Sequence, residues 1–80
     1  MKYKVIYAIE ASGKYEVNDI IETKRRTVKN IAFDININSK LRCLDLGLIK
    51  GNINQMTFGT RLDGITFPEP VLIVRRINKR

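Results

Sequence analysis

Cys43 is the one side chain here with real intrinsic nucleophilicity, and it stands without the partner that covalent chemistry needs. A cysteine attacks as its thiolate, which a neighbouring base or cation must generate, and the chain contains no histidine. Set in the run Leu41-Arg42-Cys43-Leu44, it reads as a buried structural thiol. The missing histidines also remove the commonest general base and metal ligand. The carboxylates are scattered and do not pair at helical spacing, so no hydrolase site is expected. Metal binding fails on the same census: with a single cysteine and only Met56 beyond the initiator, no soft or borderline cluster exists for zinc or iron, and the acids lack the spacing of a calcium loop. Gly47-Leu48-Ile49-Lys50-Gly51-Asn52 is no phosphate loop, because its glycines are too close and no Lys-Ser/Thr pair follows the second. These residues predict a protein that is not an enzyme and holds no cofactor.

Charge offers more. Fifteen Lys and Arg against eight Asp and Glu give a net charge of +7. The excess gathers at Lys24, Arg25, Arg26 and Lys29, and again at Arg75 and Arg76 with Lys79 and Arg80. Such clusters are either candidate partner-binding sites for nucleic acid or an anionic membrane surface, or a solvated face that maintains solubility. Tyr3, Tyr7 and Tyr15 would serve a base-stacking surface only if exposed. Tyr3 and Tyr7 share a period-two face with Val5 and Ile9, which places them in the core.

Positioning falls to a short helix and a set of strands. Ser39 fits an N-cap for a helix over about residues 39–46, and Gly47 fits its left-handed C-cap, with Leu48 packing back on Leu44. Leu41, Leu44 and Leu48 then form one apolar face.

This segment resembles the signature of FeoA-type proteins, small cytosolic partners of the bacterial ferrous-iron transporter. Arg42, the pair Cys43-Leu44, Asp45, the unit Leu46-Gly47-Leu48 and Gly51 stand where that family has a basic residue, two apolar residues, an acid, an apolar-Gly-apolar unit and a second glycine. Thr27–Ile31 is similar to its preceding strand, Leu62–Ile65 to its hairpin and Val71–Arg76 to its closing strand. The resemblance implies an SH3-like domain and a non-catalytic adaptor for ferrous iron transport, acting by protein binding to the cytosolic region of the transporter.

Eighty residues make a single domain over 1–80, and 44% hydrophobic with 29% charged residues is ordinary globular composition. Tyr3 to Ile9 alternates as a strand that ends at Ser12-Gly13. Tyr15 and Val17, then Ile20 and Ile21, suggest a second extended segment. Ile31, Phe33, Ile35 and Ile37 alternate with Ala32, Asp34, Asn36 and Asn38 and predict a third strand. Ile53 to Phe58 predicts another, Asp63-Gly64 a tight reversal into Ile65–Phe67, and Val71 to Ile77 a closing strand after Pro68 and Pro70. The expected fold is mainly β, a small SH3-like barrel of five to six strands with one short helix. No stretch is long and apolar enough for a transmembrane segment, and a single unpaired cysteine favours a reducing compartment, so a cytoplasmic location is expected. Two functions follow: the FeoA-like adaptor, or a basic β-barrel nucleic-acid-binding protein or regulator. The sequence leaves the oligomeric state open.

Overall fold

The computed structural model describes residues 1–39 and 45–77, and these described residues form six strands and one α-helix. β1 is Lys2–Ala8 and is followed by a single 3-10 turn at Glu10–Ser12; β2 is Ile20–Glu22 and α1 is Val28–Ile37. β3 (Asp45–Asn52), β4 (Gln55–Leu62), β5 (Ile65–Thr66) and β6 (Leu72–Arg76) complete the order. All pairings are antiparallel, in the spatial order β2-β1-β6-β4-β3, with β5 attached to β4.

The mainly β class is as expected, and among the described residues the α-helix lies at Val28–Ile37. Residues 31–37, which alternate like a strand, are helical. Val28, Ile31, Ala32 and Ile35 also satisfy the i, i+3, i+4, i+7 spacing of a helix face, and Ile31 and Ile35 are fully buried along it. The Thr27 side chain starts the helix by accepting the Asn30 backbone N–H at 3.3 Å. At the other end, carbonyls left without intrahelical donors find partners. Asn38 N–H closes the last i→i−4 bond to Asp34 O at 3.1 Å; beyond it the Tyr15 hydroxyl donates to Ile35 O at 2.7 Å, and Ser39 Oγ donates to Asn36 O at 2.8 Å.

Of the helix expected over 39–46, residues 40–44 lie outside the described residues. Asp45 and Leu46 are in β3, so the helix does not run to Leu46. Leu46, Gly47 and Leu48 alternate across the strand, with Leu46 buried in the core. Gly47 is not left-handed and is not a C-cap. It pairs with Gly59 on β4, and the chain returning from β5 crosses this glycine pair. A Cβ on Gly47 would collide with the Thr66 side chain, and one on Gly59 with the Phe67 carbonyl. Close approach, not backbone handedness, requires these two glycines.

Strand β4 curls at this point. Its first half pairs with β6 and its last residues with β5, so both partners lie along one edge while β3 takes the other. Asp63 and Gly64 have φ of 54° and 80° and close the β4–β5 hairpin, as their dipeptide predicts. Residues 68–70 loop out between Phe67, whose N–H reaches Thr60 O, and Val71, whose N–H reaches Phe58 O. Both prolines sit in that excursion, where no ladder bond is required of them.

The sheet does not close strand to strand. α1 stands in the gap between its two outer strands, tied to β3 by the Leu46 N–H donating to Asn36 Oδ1 at 2.6 Å. On the β2 side, the Thr23 hydroxyl donates to Asp34 Oδ2 at 2.9 Å. Ile31 and Ile35 complete a core with Tyr3, Val5, Met56, Phe58, Leu72 and Val74 from the strands. A bulge in β1 between Val5 and Tyr7 shifts the register by one residue. Tyr7 therefore leaves the core face to which its spacing assigns it and is exposed, whereas Tyr3 and Tyr15 are buried.

Candidate functional site

α1 leaves several apolar side chains unburied. With Ile31 and Ile35 turned inward, Phe33 and Ile37 lie outward and are 58% and 56% exposed. Between α1 and β3 runs a groove of about 600 Å³. Val28, Ala32 and Phe33 form its helical wall, and Leu46, Gly47 and Leu48 its strand wall. Thr66 and Arg61 bound it at the β4–β5 hairpin, and Lys29 and Asn36 add polar groups. Beyond Arg61 and Thr66 the same hairpin presents Leu62 and Ile65, the latter 63% exposed. Phe33 on the helical wall and Leu62 and Ile65 on the hairpin thus leave apolar surface in water.

Its geometry follows from local sequence. The missing side chain at Gly47 admits Thr66 over β3, which brings the hairpin close to the helix. Asn36 fixes the helix against β3 through the Leu46 N–H. Arg61 lies 3.8 Å from Asp45, a solvent-exposed ion pair that orients the guanidinium and adds little stability.

The predicted site residues scatter over this frame. Arg42 and Leu44 lie outside the described residues, as does Cys43. Gly47 and Leu48 line the groove, Asp45 begins β3, and Gly51, with φ of 139°, is its next-to-last residue before the turn into β4. Ser39 follows α1. The first basic cluster divides: Lys29 reaches the groove, while Lys24, Arg25 and Arg26 occupy the connection from β2, with Arg25 Nε 3.6 Å from Asp34.

The second cluster divides as well. Arg75 points to the outer face of the sheet and donates from Nε to Gln55 Oε1 at 3.0 Å. Arg76 pairs in register with Tyr3 on the other face. Burial raises the Tyr3 phenol above its usual range, and the Arg76 cation partly offsets that rise. Burial also pushes Tyr15 up to about 12, with the Asp19 carboxylate adding to it. Both rings remain neutral hydrogen-bond donors, Tyr3 to the Ile53 carbonyl at 2.6 Å and Tyr15 to Ile35, and neither is a base.

Sequence reasoning missed Phe33, Ala32, Thr66 and Arg61 as groove residues. The Val28-Ile31-Ala32-Ile35 spacing was the available signal, since reading it as a helix leaves Phe33 on the outside. Among the described residues, no group of three or more His, Cys, Asp or Glu could hold a metal ion, and no helix is long and apolar enough to cross a membrane. No family model, no curated protein and no solved structure matches this chain.

Proposed function

We propose that the protein is a non-catalytic cytoplasmic adaptor that acts by seating a protein partner in the groove between α1 and β3. The observation that carries this reading is a groove with apolar walls whose helical wall exposes Phe33, bounded by a hairpin that exposes Leu62 and Ile65. Interfaces of this type draw most of their affinity from a few apolar anchors, with charged residues at the rim setting orientation and approach. Lys29 and Arg61 are such rim charges, and the net charge of +7 favours an acidic partner surface. The FeoA-type resemblance of residues 41–51 supplies the partner class to test first, the cytosolic region of a ferrous-iron transporter.

Calorimetric titration of that purified region tests the reading. Saturable binding is expected, with Phe33→Asp or Ile65→Asp lowering affinity at least ten-fold, the scale of losing one apolar anchor. Both positions are exposed, so the variants should fold. Absence of binding, or binding indifferent to both substitutions, would refute it.

A further inference from the structure

The outer face of the sheet carries a second surface, and its chemistry is different. Strand registers align two rows of side chains across it. Ile20, Lys4, Arg75, Gln55 and Asn52 are successive partners from β2 to β3, and Tyr7, Ile73, Thr57 and Lys50 form the adjacent row. Lys2 extends the face beside Lys4, opposite Glu22, the one carboxylate of the registered positions on this face. Tyr7 joins these cations because the β1 bulge turns it outward, and its ring is 42% exposed. At the usual strand spacing the first row spans about 19 Å, room for a tract of about four nucleotides.

We infer that this face binds single-stranded nucleic acid, with Lys2, Lys4, Lys50 and Arg75 on the phosphates and a base stacked on Tyr7. Charge complementarity selects a polyanion, since four cations face one carboxylate across the rows. The exposed ring among them selects an unpaired strand over a duplex, whose bases are already stacked on one another. Gln55 and Asn52 add polar groups, Ile20 and Ile73 are the apolar members of the rows, and Thr57 is buried. The inference stands apart from the groove, from which all four cations are absent.

Fluorescence anisotropy of a labelled oligothymidylate with the full chain tests it. Affinity should fall with salt at a log-log slope of about −3, the value for four phosphate contacts on a single strand. Tyr7→Ala should weaken binding roughly ten-fold, the scale of losing one stacked base. Lys4→Glu with Arg75→Glu should abolish it, and Phe33→Asp in the groove should leave it unchanged. Circular dichroism verifies that each variant is folded. Equal affinity for a duplex of the same length, indifference to Tyr7→Ala, or stronger binding to anionic vesicles or an acidic peptide would overturn the assignment.

Discussion

At the scale of single residues, the Gly47–Gly59 pair sets how closely the β4–β5 hairpin can approach β3. A methyl group on Gly59 meets backbone, the carbonyls of Phe67 and Glu69, whereas one on Gly47 meets only the Thr66 side chain. Gly59→Ala should therefore destabilise more than Gly47→Ala, by roughly 2 kcal/mol or more against about 1. Thr66→Ala should restore part of the Gly47→Ala loss and none of the Gly59→Ala loss. Urea denaturation of the single and double variants measures this. Asp63-Gly64 is legible from sequence because its turn type demands positive φ at both positions, which that dipeptide tolerates. Gly47 is not, because a glycine kept for close approach gives no local sign of what crosses it.

Tyr15 is a second residue whose role appears only in the fold. Its hydroxyl satisfies the Ile35 carbonyl inside the core, and Tyr15→Phe should cost about 1–2 kcal/mol by leaving that acceptor without its donor. The ring also sets an alkaline limit. Its folded pKa of about 12 lies above the ordinary 10, so the unfolded chain gives up this proton first. Stability from the neutral phenol is fully present below pH 10 and is lost as pH rises from there to about 12. Tyr3, also raised, contributes with the same sign. A denaturation series over that range should show a steep decline, shallower in Tyr15→Phe.

Among elements, α1 shows how a local pattern is overridden. Ile31, Ile35 and Ile37 are β-branched and alternate with polar neighbours, so residues 31–37 satisfy a strand pattern, while Ile31 and Ile35 equally satisfy a helix. Partners decide between them. The helix buries both isoleucines in the core shared with the strands and bonds through Asn36 to β3, neither of which is visible locally. Asn36→Ala should uncouple helix from strand at a cost of about 1–2 kcal/mol and speed amide exchange at Leu46, as hydrogen-exchange NMR would record. β1 is legible through Val5 and fails at its bulge, beyond which the inside and outside of the alternation exchange.

For the whole molecule, the fold class follows from counting alternating segments, while the surfaces depend on which segments meet. The groove joins residues 28–36 to residues 46–48 and 61–66, and no periodicity within any one stretch indicates that conjunction. Lys2 and Lys4 alternate with Tyr3 and Val5 in the sequence, but only strand order sets Arg75 beside Lys4. One molecule thus presents an apolar groove and a cationic sheet face at separate places. The central claim is that the groove is where a protein partner docks. Heteronuclear NMR of the labelled chain, titrated with the cytosolic region of a ferrous-iron transporter, tests it most directly. The account predicts saturable shifts at Val28, Ala32, Phe33, Leu46, Leu48 and Thr66, with Lys4, Tyr7 and Arg75 unmoved; shifts confined to the outer face, or none at saturating partner, would contradict it.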